Sequence, residues 1–405
     1  MKQAWKRRYS FWSLTAAVLI VIGLVGVIQR YAFGLGETTN LSDRFPWGLW
    51  IGFDILVGVG LAAGGFTIAA AVHIFNIERF RPILKPTILT AFLGYLLVIA
   101  GLLVDLGKPW AIWHALIYWN TSSVMFEVAW CVMLYTVVLA LEFSPVVLER
   151  FNLQAPLRVI RAITIPVVVT GVILSTLHQS SLGSLFIIIP GRMHPLWYST
   201  ILPFLFLISS IAAGLAMTIV ESQLSAKAFG RKIEVPLLAD LARVVVVVLA
   251  TFLAVRVQDL INRDALRFAL EPTYQSGLFW VEIVLGTFVP IALLLIPRFR
   301  HTANGLFNAS VLVLLGFVAN RLNTAITSME QWPDRTYMPS WQEVAITLGL
   351  AAVGFALFSA GVRYLNVFGP QEDPGARQRQ EVLSQGSRTT SRRTDTVCAE
   401  ASSHI

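Results

Sequence analysis

The chain has 405 residues, of which 56% are hydrophobic and 13% are charged. Soluble globular proteins carry about 25% charged residues, so the composition excludes a cytosolic enzyme, a nucleic-acid-binding protein and a disordered chain. It indicates a polytopic membrane protein, in which lipid rather than water faces much of the surface. The formal net charge of +8 fits an excess of Lys and Arg in cytoplasmic loops and does not require nucleic acid as a partner.

Ten runs of about 20 apolar residues, the length that crosses ~30 Å of hydrocarbon, predict an all-α polytopic transmembrane helical bundle. They lie at 11–33, 49–74, 86–105, 124–143, 159–179, 197–220, 241–261, 278–297, 306–326 and 343–363. The first run is long for a signal peptide and lacks a cleavage site near its end, so we expect a retained helix.

The loop charges predict an orientation. With the N-terminus inside, 22 of the 31 lysines and arginines fall on inner segments. This bias predicts that both termini are cytoplasmic. We expect the membrane to be the cytoplasmic membrane of a bacterium or archaeon. The predicted organisation is a transmembrane bundle over residues 1–369, followed by a disordered cytoplasmic tail over 370–405, because the tail has almost no large apolar side chains.

The two cysteines limit the redox chemistry of this chain. Cys131 lies in an apolar run and Cys398 in the polar tail, so they offer no disulfide framework. An iron–sulfur cluster needs about four thiolates, and we expect none here. If the protein handles electrons, another subunit must deliver or accept them.

Ionisable residues inside spans are costly and are candidates for function, and here they gather toward the predicted outer face. The group comprises Asp54, Asp105, Glu127, His178, Arg256, Asp259, Glu282 and Arg321. For Asp105, Asp259 and Arg321, interfacial capping explains the charge equally well, and Asp259 and Arg263 could form a plain i, i+4 pair. Asp54 and Glu127 each precede a long apolar run and are expected to be buried, whereas His178 is expected to end the fifth span.

The outer loops add aromatic and basic residues. An interfacial belt explains most of the tryptophans but not the two histidines and the arginine around residues 179–193. A quinone head group needs hydrogen-bond donors and a titratable group in a shallow apolar slot. The predicted catalytic residues are His178, Asp54 and Glu127. The predicted quinone-binding residues are Trp50, Asp105, Trp110, Arg192 and His194.

The same residues leave two alternatives to quinone chemistry. A secondary transporter or proton-coupled carrier would place its polar residues and broken helices near the midplane, whereas here they lie toward one face. A b-type haem would need two histidines at matching depth on facing helices. The six histidines, His73, His114, His178, His194, His301 and His404, show no such pair. We therefore expect no haem in this chain.

Five segments are distinctive in combination. They are 45–54, which begins Phe-Pro-Trp-Gly, 120–127 (NTSSVMFE), 141–143 (LEF), 178–184 (HQSSLGS) and 194–197 (HPLW). Together they resemble the NrfD/polysulfide-reductase superfamily of integral membrane subunits, in its ten-span HybB/DsrP branch, and the resemblance covers about residues 10–365.

The resemblance implies a cofactor-free, quinone-reactive membrane subunit of a respiratory oxidoreductase complex of the hydrogenase or Dsr type. Its substrate would be menaquinone or ubiquinone. Its partner would be a periplasmic ferredoxin-like iron–sulfur subunit, alongside other subunits of the complex. Coupling to proton transfer, the direction of electron flow and the particular complex stay open.

Overall fold

The computed structural model describes residues 11–43, 45, 47–330, 337–365, 367 and 368. Within them, ten helices are long and apolar enough to cross a membrane, which confirms the predicted all-α bundle. We number them α1 (Phe11–Phe33), α2 (Trp50–His73), α3 (Glu78–Asp105), α4 (Val124–Arg150), α5 (Thr164–Ile187), α6 (Leu202–Phe229), α7 (Val235–Asn262), α8 (Tyr274–Leu295), α9 (Ala303–Met329) and α10 (Trp341–Tyr364). The predicted tail at 370–405 lies beyond these residues. We call the face where α2 begins the outer face, following the predicted orientation.

The predicted bounds of the fifth span are wrong, and the difference changes the depth of a candidate site residue, His178. The span was predicted at 159–179, but the chain forms a short helix, Gln154–Ala162, and then α5 up to Ile187. The serines after His178 suggested a loop. In the helix their hydroxyls bond the preceding turn instead, as Ser181 does to the Leu177 carbonyl at 2.8 Å. His178 therefore lies roughly 13 Å below the outer end of α5, and its predicted place at that end is wrong.

Helices α2 and α6 cross at backbone contact in the middle of the bundle. Each carries the sequence Ala-Ala-Gly, at 62–64 and 212–214. A Cβ atom on Gly214 would lie 2.2 Å from the Gly64 nitrogen, and one on Gly64 would lie 2.6 Å from the Gly214 carbonyl oxygen. Only small residues let two helices approach this closely. These two helices are also the most enclosed of the ten, whereas α1 is the least enclosed and packs mainly on α10.

Two large clusters of buried hydrophobic side chains fill the bundle, one nearer the outer face and one nearer the inner face. The outer cluster includes Tyr95, Tyr135 and Trp197, whose polar atoms bring hydrogen-bonding groups into the apolar interior. The inner cluster is built mostly from Ala, Val, Ile and Leu. The polar side chains predicted to gather toward one face therefore lie among the packing of the outer half.

Candidate functional site

An apolar cleft of about 320 Å³ lies between α2, α3, α6 and α10. Nearly all of its wall is hydrocarbon, with Asp54 near the outer end and Glu221 farther in. The α3 residues that approach these two acids are Gly101 and Thr90, respectively. At 1.5 Å per residue they are ~16 Å apart along the helix. The cleft is therefore long enough for an extended hydrocarbon chain.

Asp54 occupies the outer end of this cleft. It lies in the π-helical segment Trp50–Ile55 that opens α2, a geometry frequent at functional sites. Its Oδ2 accepts a hydrogen bond from the Thr347 hydroxyl of α10 at 2.8 Å. A Cβ atom on Gly101 of α3 would approach the Asp54 Cβ at 3.2 Å. The carboxyl group thus sits where three helices meet, half-buried and beside open apolar space.

Trp50 and Asp105, two of the predicted quinone-binding residues, support this corner from the side. The buried Trp50 lies one turn before Asp54, and its Nε1 donates to the Glu343 carbonyl oxygen at 3.3 Å. Asp105 ends α3 within electrostatic range of Arg30 and Glu343. Neither Trp50 nor Asp105 lines the cleft. They lie beside its outer corner.

Glu343 connects α10 to the loops of the outer face. Its side chain caps its own helix by accepting from the Ser340 backbone N–H at 2.8 Å, and it also accepts from the Asn40 N–H at 3.1 Å. The Tyr337 hydroxyl donates to the same carboxylate. Burial, followed by this hydrogen bond, raises the pKa of Tyr337 above its ordinary value. The outer corner of the cleft is thereby fixed to two loops.

His178 lies in a second cluster, fully buried among α3, α4 and α5. Its Nδ1 is 2.7 Å from the Tyr95 hydroxyl, and the Tyr95 ring meets Tyr135 edge-on with centroids 4.7 Å apart. Nε2 of His178 has no hydrogen-bond partner among the described residues, and the Ser175 hydroxyl lies within reach of Tyr95 and Tyr135. Buried polar atoms are nearly always paired, so this cluster has the capacity to bind water or a small polar group.

Glu127 joins the His178 cluster from its rim. Its Oε1 accepts a hydrogen bond from Ser181, one turn beyond His178, at 2.6 Å. The Glu127 side chain is exposed, so the predicted burial is wrong: α4 begins at Val124 as predicted, but the first turn of the helix leaves this side chain open at the rim. The structure thus brings Glu127 and His178 to one face of α5, while Asp54 bonds to a different helix.

Two of the loop residues predicted to bind quinone are exposed on the outer side. Trp110 is 71% exposed, as expected for an interfacial belt, and Arg192 is also exposed. A surface position suits contact with lipid head groups or a docked protein better than a place in an enclosed quinone slot.

His194, in contrast, is buried and joins its loop to α9. Its backbone N–H donates to the Ser328 carbonyl oxygen at 2.7 Å, and its Nδ1 accepts from the Leu196 N–H at 3.3 Å. The ring packs against Trp197 and Phe268. Burial lowers the pKa of His194 below its ordinary value, and the charge of Glu271 opposes this shift.

A third polar group links α6, α8 and α9. Glu282 accepts hydrogen bonds from Trp197 at 2.9 Å, Asn320 at 2.7 Å and Asn323 at 2.8 Å. The Arg321 guanidinium is fully buried, so the interfacial-cap explanation fails for it. This group is saturated with internal partners, which is typical of a structural network.

Arg321 connects that network to the helix that carries His178. It lies between the rings of Phe206 and Phe317 and donates to Ser210 at 3.1 Å. Ser210 in turn donates to Gln179 at 2.7 Å. Asp259 and Arg263 form the predicted i, i+4 pair, at 2.7 Å.

Sequence reasoning missed three residues at these sites: Thr347, Tyr95 and Glu221. Thr347 and Tyr95 look like ordinary residues of apolar helices, and only the fold shows which acid or histidine they face. Glu221 lies near the inner end of its apolar run, where an exposed interfacial side chain is expected, yet it is 8% exposed. One part of the His178 cluster could have been found from the sequence: Glu127, Cys131 and Tyr135 are spaced i, i+4, which places all three on one face of α4.

The donor groups do not fit a resident metal centre. In the described part of the chain, no three His, Cys, Asp or Glu side chains are grouped to hold a metal ion. A haem with two histidine ligands would find His178 buried with its Nδ1 beside Tyr95, whereas His73, His114, His194 and His301 lie at helix ends or in loops. The fold brings no second histidine to the depth of His178 within that part.

Comparisons with known proteins agree on one family. Residues 37–330 match the family described as "Polysulphide reductase, NrfD". A protein of Nitratidesulfovibrio vulgaris is 39% identical over 347 residues, which are 83% of this chain and 89% of that protein. The probable Ni/Fe-hydrogenase 2 b-type cytochrome subunit of Escherichia coli is 33% identical, over 87% of this chain and 91% of its own. The integral membrane subunit of menaquinone reductase from N. vulgaris is 28% identical, over 90% and 93%.

Proposed function

The chain belongs to the NrfD polysulphide reductase family, and we propose that it is the quinone-reactive membrane subunit of a respiratory oxidoreductase complex. The observation that carries the proposal is the position of Asp54, a titratable group at the outer end of an apolar cleft. The names of two relatives, a menaquinone reductase subunit and a hydrogenase subunit, support the same class of function.

A quinone combines a long apolar chain with a head that carries two carbonyl oxygens. In our proposal the chain lies along the cleft and the head lies beside Asp54 and Thr347. The Thr347 hydroxyl, which now donates to Asp54, can turn to donate to a quinone carbonyl. Interconversion of quinone and quinol moves two electrons and two protons, and Asp54 accepts or donates a proton at the head.

The electrons come from or go to a partner. Because the described residues group no metal-binding set, we propose that an iron–sulfur subunit docks on the outer face, where the outer end of the cleft lies. The protons then exchange with the same face, since Asp54 is close to it. Coupling to proton transfer across the membrane would need a further route.

The His178 cluster is the second candidate position for the quinone head. Nε2 of His178, which has no partner among the described residues, and the neighbouring Tyr135 and Ser175 hydroxyls could serve the two carbonyls, with Glu127 as the proton exit through Ser181. Asp54 is favoured because it alone of the three predicted catalytic residues lines the cleft that has room for the chain.

The test is quinol-analogue turnover by the complex purified through a tag on this chain. Asp54→Asn keeps the size and removes the titratable group, so we expect turnover to fall by a factor on the order of 10²–10⁴. The matched control is Glu142→Gln, since Glu142 has a buried, unpartnered carboxyl oxygen but does not line the cleft.

Three outcomes discriminate among the possibilities. Normal turnover in Asp54→Asn together with loss in His178→Leu would move the head to the second cluster. Normal turnover in both would overturn the site altogether. A chain that purifies alone, without redox subunits, and binds a small solute would instead favour the alternative of a secondary transporter.

A further inference from the structure

The inner end of the cleft contains polar groups that the proposed quinone chemistry does not use. Glu221 of α6 lines the cleft and is 8% exposed, and its Oε2 has no hydrogen-bond partner among the described residues. Thr90 of α3 also lines the cleft, and its hydroxyl lies beside the Glu221 carboxyl group. Ser225, one turn along α6 from Glu221, adds a further hydroxyl. A carboxyl group and two hydroxyl groups therefore form one polar cluster in an otherwise apolar wall, and a few polar groups that converge in an apolar pocket are typical of a ligand site.

The surroundings limit which ligand fits. The residues that line the cleft include no Lys, Arg or His, so an anionic head would meet a carboxyl group with no compensating cation. Burying such a charge is costly. A neutral head with hydroxyl or carbonyl groups suits the site, because it can donate to Glu221 and accept from Thr90 and Ser225.

The apolar wall of the cleft favours the hydrocarbon chain of a ligand over a file of water molecules. Apolar cavities tend to stay dry, and the stretch between Asp54 and Glu221 is formed by side chains such as Leu93, Leu97 and Phe355. This stretch would interrupt a file of water molecules. It offers an apolar chain the contacts that it needs.

We propose that the inner end of the cleft is a second binding site, for the neutral, hydroxyl-bearing head of an amphiphile whose apolar chain fills the cleft. Quinol and diacylglycerol both have this chemistry. The proposal rests on the proposed function only for the quinol. A long-chain occupant with its head at Glu221 extends its chain ~16 Å toward Asp54 and therefore competes with quinone at the outer end.

The experiment is photolabelling of the full-length chain in phosphatidylcholine nanodiscs. One probe is a quinol analogue and the other is diacylglycerol, each with a photoreactive group on its head, and labelled peptides are identified by mass spectrometry. At least one probe should label residues 86–93 or 217–229. Glu221→Leu should lower that labelling about tenfold, whereas Glu142→Leu, a buried glutamate away from the cleft, should leave it unchanged.

Thr90→Val is the second variant, should Glu221→Leu fail to fold, and it should also lower the inner labelling. Absence of inner labelling by both probes, or inner labelling that neither Glu221→Leu nor Thr90→Val reduces, would overturn the second site.

The two proposals fail separately. Quinol labelling confined to residues 50–58 and lost in Asp54→Asn, with no inner labelling by either probe, would refute the inner site and keep the proposed function. Diacylglycerol labelling at Glu221 without quinol labelling at either end would support the inner site and contradict the quinone site.

Discussion

At the residue scale, Asp54 was recoverable from sequence but its partners were not. A single acid within a long apolar run is expensive in lipid, so its importance shows in the order of residues alone. Thr347 belongs to α10, the last helix of the bundle, and Gly101 belongs to α3, which follows α2. No local sequence pattern predicts contacts between residues so far apart along the chain. The predicted depth of His178 was wrong for another reason. The serines that follow it were expected in a loop, but they continue the helix, where the Ser181 hydroxyl bonds to the preceding turn.

His194 gives a pH prediction at this scale. Because burial lowers the pKa of His194 in the folded state below its ordinary 6.5, the unfolded loop binds more protons near and below that pH. Its contribution to stability is therefore present above pH 6.5 and is lost as the pH falls. We expect the protection of residues 190–201 against hydrogen exchange, corrected for the intrinsic rate at each pH, to fall between pH 7.5 and 5.5.

His194→Asn provides the control, since its side-chain oxygen can still accept from the Leu196 N–H while it does not titrate in this range. The protection of the same loop should then depend less on pH. An equal pH dependence in both proteins would show that another group, such as Glu271, controls the loop.

At the element scale, length and hydropathy fixed the number of helices, because crossing the membrane requires about 20 apolar residues whatever the tertiary structure. The ends were harder, since helices such as α4 and α6 extend past the apolar run into polar residues. The crossing of α2 and α6 was also hidden. A glycine pattern indicates close packing in general, but the identity of the partner helix depends on the whole bundle.

The α2–α6 crossing leads to a stability prediction. In Gly214→Ala the new methyl group would lie 2.2 Å from a backbone nitrogen of Gly64, and backbone cannot move aside as a side chain can. We expect destabilisation of at least about 3 kcal/mol, the upper part of the usual range for overpacking, measured as the loss of thermal stability in detergent. Gly277→Ala is the control, because no atom lies within 4 Å of its Cβ position. Equal stability of the two variants would contradict the close crossing.

At the scale of the whole molecule, the buried polar groups fall into two kinds, those with internal hydrogen-bond partners and those that keep unpartnered atoms. The network around Glu282 and Arg321 has internal partners for its charges, whereas the cleft and the His178 cluster keep unpartnered atoms. Saturated networks stabilise a fold, and unsatisfied ones mark places where a ligand or water belongs. The positions of the ionisable residues along the predicted spans indicated that polar groups gather toward one face, but only the three-dimensional contacts separate the structural set from the candidate sites.

Orientation is a prediction for the molecule as a whole. The excess of Lys and Arg on one set of loops predicts cytoplasmic termini and an external loop between α5 and α6. Reporter fusions at residue 405 and within 188–201 should show an inner and an outer location, respectively. The reverse result would move Asp54 to the cytoplasmic side and with it the proposed docking face of the iron–sulfur partner.

Binding of the quinone head at Asp54 is measured most directly by the affinity of a quinol-analogue inhibitor. We predict that Asp54→Asn and Thr347→Val, each of which removes one member of the 2.8 Å hydrogen bond, raise its Kd about tenfold or more in the purified complex, a change of ~1.4 kcal/mol per tenfold. His178→Leu should change it less. An unchanged Kd in both cleft variants, with binding lost in His178→Leu, would contradict binding of the head at Asp54.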